Sequence, residues 1–167
     1  MIAMFTFECI LNVHFLINKD NVKLDVERGE GIIVGKNQED LIKTVNYIQN
    51  NVPTEGKIFV GNVRHDRINA NAEIIYFLAN RQSATKYSDT HPGVVTTQPV
   101  QNEIINELEK NNVKYIVLYS GYENAKVYGK SNESSGVNDL DIFIKNHYHV
   151  VKIYGNYTIF AIDSIEY

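Results

Sequence analysis

Arg64-His65-Asp66-Arg67 follows the apolar run Ile58-Phe59-Val60 after only Gly61, Asn62 and Val63. A polar cluster just past a buried strand is where open α/β sheets hold their ligands. Asn62, Arg64, Asp66 and Arg67 could bind a sugar hydroxyl or a phosphate, because the guanidinium fork matches planar oxyanions and paired acceptors. Arg81, after Tyr76-Phe77-Leu78-Ala79-Asn80, either joins that pocket or ends its own helix. The competing account of the cluster is a helix start with Asp66 as cap and both arginines in surface ion pairs.

Other constellations are weaker. Gly29, Gly31 and Gly35 lack the spacing of a dinucleotide fingerprint and lie between short strands, so they read as a turn. Asp139-Leu140-Asp141 resembles a metal-holding Asp-x-Asp. On a helix, however, positions i and i+2 point about 200° apart, so a cap with an exposed neighbour is expected. His147 and His149 would share one face of a strand, and His65 and His91 could join them from loops. Zinc needs three or four protein ligands, and the spacing does not bring these four together. Tyr115, Tyr119, Tyr122 and Tyr128 could offer rings to a sugar face or simply stand half-buried with their hydroxyls in water. Ser120 lacks the GxSxG context of a nucleophile elbow. Asn132 and Asn156 head N-glycosylation sequons, which matter only in a eukaryotic secretory setting. No catalytic residue, metal site or cofactor is assigned.

These side chains need a scaffold, and hydrophobic periodicity supplies one. Residues 22–26 and 32–34 are short strand candidates. Leu41, Ile42, Val45 and Ile48 predict a helix over 38–51, stopped by Pro53. Residues 57–60 read as a buried strand, 72–80 as a second helix, and 83–95 as a loop with one short strand. Thr97 is placed to cap a third helix, with Pro99 in its first turn and Val100, Ile104, Ile105 and Leu108 facing in. Residues 113–119 form a central strand. Asp139 caps a fourth helix whose Leu140, Phe143 and Ile144 face in, and residues 149–154 and 157–162 form a hairpin around Gly155-Asn156. The order predicts a three-layer α/β sandwich, with a mostly parallel sheet and a C-terminal antiparallel hairpin. Residues 121–136 form the longest stretch without an apolar pattern.

The chain of 167 residues reads as a single α/β domain. Its formal charge of -4 argues against a nucleic-acid partner. Cys9 is the only cysteine, so no disulfide-linked partner is expected. Within residues 1–20, Phe5, Phe7, Cys9, Leu11, Val13 and Phe15 alternate with mostly polar neighbours, which predicts a strand. The alternative is the remnant of a preceding membrane segment. The stretch lacks the basic start and cleavage site of a signal peptide.

Taken in order, YFLANR at 76–81, PGVVTT at 92–97, VQNEIINEL at 100–108, SSGVNDLDIFI at 134–144 and the later YGNYTIF carry a resemblance. They resemble the extracytoplasmic C-terminal domain of membrane glycosyltransferases similar to protein O-mannosyltransferases, over about residues 22–162. The resemblance implies an α/β accessory domain near the point where a polyprenyl-phosphate-linked sugar meets its acceptor. Its implied partners are the membrane part of the transferase and the glycan or protein acceptor. Enzymes of that kind keep their acidic catalytic residues in a loop between early membrane helices, and no position here corresponds. No catalysis is therefore expected of the isolated chain. The alternative is a free-standing soluble α/β protein that binds a small phosphorylated or sugar ligand. The expected location is the extracytoplasmic membrane face in the first case and the cytoplasm in the second.

Overall fold

The computed structural model describes residues 22–30, 32–34, 38–90, 93–123 and 133–162. The strand expected within residues 1–20, together with His91 and Tyr128, lies outside them. A small antiparallel pair, β1 (Val22–Lys23) and β2 (Ile33–Val34), precedes the main unit. Then come α1 (Glu39–Asn51), β3 (Lys57–Asn62), α2 (Ile74–Leu78), β4 (Gln82–Ser83), α3 (Gln98–Lys110), β5 (Tyr115–Tyr119), α4 (Asp139–His147), β6 (Tyr148–Tyr154) and β7 (Tyr157–Ile162).

The main sheet has the order β4-β3-β5-β7-β6. The pairs β3–β4 and β3–β5 are parallel, whereas β7 runs antiparallel to both β5 and β6. The expected fold class is therefore observed: an α/β sheet with parallel early strands and an antiparallel hairpin at the C-terminal end.

Alternation along the strands builds two cores. Ile58, Val60, Val117 and Ile159 pack beneath α1 and α2, against Leu41, Val45, Ile48, Ile75 and Leu78. Phe59, Ile116 and Leu118 face the other way, onto Ile104 and Leu108 of α3 and Leu140 and Ile144 of α4. Among the described residues no helix is long and apolar enough to cross a membrane.

Local chemistry explains where elements stop. Helix α2 is shorter than its apolar pattern suggested. Asn71, at its approach, sends its amide to the carbonyls of Val60 and Ser88 instead of capping the helix. At the far end Asn80 turns left-handed with φ 53°, a conformation that asparagine tolerates better than most residues. Thr97 holds the expected cap position of α3, but its hydroxyl donates to the Val94 carbonyl, 2.9 Å away. Asn138, not Asp139, precedes α4. In the hairpin, Tyr154 pairs with Tyr157 across Gly155-Asn156. Gly155 has φ 53° and Asn156 has no positive φ, which matches the type II′ turn the dipeptide predicts.

Candidate functional site

Strand β3 connects outward to β4, whereas β5 connects towards β6 and β7 on the other side. The carboxyl ends of these two parallel neighbours, Asn62 and Tyr119, therefore flank a topological switch point. In open α/β sheets a crevice opens there. Loop 63–73 and residues 120–123 follow this edge in the chain.

Buried amides fix the floor of the edge. Asn62 is 3% exposed and donates to the Asn69 carbonyl at 2.9 Å and the Thr90 hydroxyl at 2.8 Å. Asn71 accepts from the Thr90 N–H, so both asparagines lash the loops to the end of β3. Gln101 is fully buried. Its amide nitrogen lies 3.0–3.1 Å from the carbonyls of His65, Val95 and Val137, and its oxygen accepts from the Leu140 N–H at 2.9 Å. Sequence reasoning missed Gln101, yet a signal existed: it shares a helical face with Ile104 and Leu108, where a polar side chain must find partners.

Buried His65 and half-buried Asp141 form a dyad. The ring Nδ1 lies 2.6 Å from one Asp141 oxygen, and the His65 backbone N–H donates to the other at 3.1 Å. With a carboxylate as acceptor, Nδ1 carries the proton. The remaining nitrogen, Nε2, is buried without a partner among the described residues. It faces Gly61, where an added Cβ would sit 2.6 Å away. Nε2 therefore abuts backbone and cannot reach a substrate, so the dyad staples loop 63–73 to α4 and is not a general base. Asp141 is thus neither a metal ligand nor a mere exposed neighbour of a cap. Asp139 sits in the first turn of α4 and accepts from Gln98 at 3.1 Å.

The accessible polar groups lie just outside this floor. Arg64 grips Asp66 with two bonds, Nε at 2.9 Å and Nη2 at 2.6 Å. The Ser134 hydroxyl donates to the same carboxylate, and the Ser135 N–H donates to the Asp66 carbonyl at 2.8 Å. Asp66 therefore ties the two loops together. It does not cap a helix, because none begins until Ile74. The paired guanidinium, followed by the Ser134 bond, holds the Asp66 carboxyl below its ordinary range, and the same pairing raises Arg64. Glu123 lies 3.9 Å from Arg64. Its neighbour in sequence, Tyr122, is exposed and packs edge-to-face with Tyr119 at 5.5 Å, and Tyr119 in turn packs on Tyr157 at 4.9 Å.

The expected set therefore divides. Asn62, Arg64 and Asp66 meet at this edge, Asn62 as buried support. Arg67 is half-buried on loop 63–73. Arg81 is elsewhere: its guanidinium donates to the carbonyls of Gln49, Val52, Ala79 and Asn80, at the amino-end side of β3. Arg81 does not serve the pocket; it closes the ends of α1 and α2. His147 ends α4, stacked on Phe143, while His149 lies on β6, so the two do not share a strand face. Among the described residues no group of three or more His, Cys, Asp or Glu could hold a metal ion.

No protein-family model matches the chain. No curated protein matches it either. Among solved structures it is similar to the C-terminal globular domain of the oligosaccharyltransferase from Archaeoglobus fulgidus. Identity is 14%, the TM-score is 0.40, and the alignment covers 74% of this chain and 97% of that one. That domain belongs to an oligosaccharyltransferase and not to an O-mannosyltransferase-like enzyme. A likeness at this level places no functional residue.

Proposed function

We propose that this chain is a non-catalytic accessory domain of a polyprenyl-phosphate-sugar glycosyltransferase, contacting the acceptor or glycan on the extracytoplasmic side or supporting the membrane catalytic part. The observation that carries the reading is the convergence of the resemblance-bearing segments on Gln101. Gln101 lies in VQNEIINEL, and its partners include Val95 of PGVVTT and both Val137 and Leu140 of SSGVNDLDIFI. Segments grouped by sequence are therefore also grouped in space, by buried bonds that shape one polar edge. The buried polar side chains there hold backbone in place, which is a scaffold's use of such groups.

The free-standing ligand-binding alternative draws only on the position of this polar cluster at the switch point of the sheet. Probing fractionated native cells with an antibody to the chain separates the two. The accessory-domain reading expects the signal in membranes, within a larger polypeptide or released only by detergent. A freely soluble band at 19.1 kDa would contradict it.

A further inference from the structure

We infer that residues 5–11 dock as an added strand on the free edge of β6. The inference goes beyond the accessory-domain reading and does not rest on it. Residues 1–21 lie outside the described residues; what points to them is the edge itself.

Strand β6 ends the main sheet and, among the described residues, pairs only with β7. It has seven residues, whereas β4 at the opposite edge has two. A long edge presents a row of unpaired backbone N–H and C=O groups, which proteins shorten, charge or cover. The register shift between Val150 and Lys152, and the Lys152 charge, guard this edge in part. They leave Val150 48% exposed, and Ile153, at 63%, is the most exposed large hydrophobic residue described. A cover would bury both.

The two faces of the edge differ. Directly opposed residues of an antiparallel pair point to the same side of the sheet. Val150 opposes Phe160 and Ile153 opposes Thr158, on the side of α3 and α4. Lys152 opposes Ile159, on the side of α1. The edge therefore shows aliphatic groups to one side and a cation to the other. Residues 5–11 carry the matching pattern, with Phe5, Phe7, Cys9 and Leu11 alternating with Thr6, Glu8 and Ile10. Laid along β6 with the aromatic and aliphatic set beside Val150 and Ile153, the segment turns Glu8 to the side of Lys152. Apolar and opposite-charge neighbours across strands both stabilise a sheet.

Reach permits this docking. Four strand spacings make the five-stranded sheet about 19 Å wide, and residues 12–21 can extend to about 33 Å. The tether also favours this occupant over a second copy, because a linked segment acts at an effective concentration of about millimolar.

The test is NMR on the full chain, with a sample of mixed labelled and unlabelled copies to separate contacts within a chain from those between chains. The inference expects backbone contacts between residues 5–11 and 148–154 within one chain. Phe7→Asp combined with Leu11→Asp puts carboxylates beside Val150 and Ile153 in place of apolar groups. That variant should speed exchange of the outward β6 amides at least tenfold, while the amides of β3 and β5 keep their rates and show that the fold is intact. Absence of contact between the segment and β6 overturns the inference. So do contacts found only between copies, which would make the edge a dimer interface, and β6 amides that exchange equally fast in parent and variant. The accessory-domain reading does not depend on the outcome.

Discussion

Arg64 and Arg81 sit at opposite ends of the same sheet and illustrate two uses of one side chain. At the amino-end side, Arg81 is 8% exposed and donates only to backbone carbonyls. Helix ends leave carbonyls without partners, and a single guanidinium satisfies four residues' worth of them. At the carboxyl end, Arg64 is far more exposed and pairs with a side-chain carboxylate that other groups also share. The first arginine completes secondary structure. The second joins two loops through one carboxylate and keeps part of its guanidinium in solvent. Residue type alone gave both the same reading; their partners separate them.

Breaking the scaffold end should have the largest consequence. Arg81→Ala strands several buried carbonyls at once, so a loss of about 3 kcal/mol or more is expected in urea unfolding. A loss under about 1 kcal/mol would show that water replaces the guanidinium easily, and the contrast between the two ends would weaken. Gln101→Leu keeps the volume but removes the partner of three carbonyls and the Leu140 N–H. Unpaired buried groups cost about 1–3 kcal/mol, and the effect should reach the carboxyl-end edge of the sheet by loosening loop 63–73 as read by amide exchange. Gly61→Ala probes the close approach beneath His65. The new methyl must displace a fully buried ring, a crowding that costs about 1–3 kcal/mol. Rapid exchange at the His65 N–H would report the broken dyad with Asp141.

The smallest expected effect concerns acid. The Asp66 carboxyl is held below its ordinary value, first by Arg64 and then by Ser134. A depressed folded-state pKa stabilises the fold above the unfolded value near about 3.9, and that contribution is lost as pH falls through the lower folded value. Asp66→Asn should therefore cost about 1 kcal/mol at neutral pH, a modest figure because Arg64 is over one-third exposed. The gap from the parent should close below about pH 4. A gap that widened in acid would reverse the sign and remove the ion pair from the account.

The sequence made the layers legible because they follow from local periodicity. The buried strand at Ile58-Phe59-Val60, the amphipathic faces of α1 and α3 and the Gly155-Asn156 turn all follow from neighbours a few residues apart. Helix α2 came out shorter because Asn71 and Asn80 have non-helical tasks that periodicity does not encode. Half of the candidate site was legible for the same reason: Arg64 and Asp66 are two apart, at the end of a strand. Glu123 and Ser134 were not, since they join Arg64 and Asp66 only through long-range folding of a loop without an apolar pattern. His65 and Asp141 are 76 positions apart, and no spacing rule links them.

The most direct measurement follows hydrogen exchange with solvent at the side-chain Nε–H groups of the two arginines in the intact chain. The account predicts that the Arg81 signal, buried and donated to a backbone carbonyl, outlasts the Arg64 signal, whose side chain is 38% exposed. An Arg81 signal that exchanges as fast as that of Arg64, or faster, would contradict the division of roles between the two ends of the sheet.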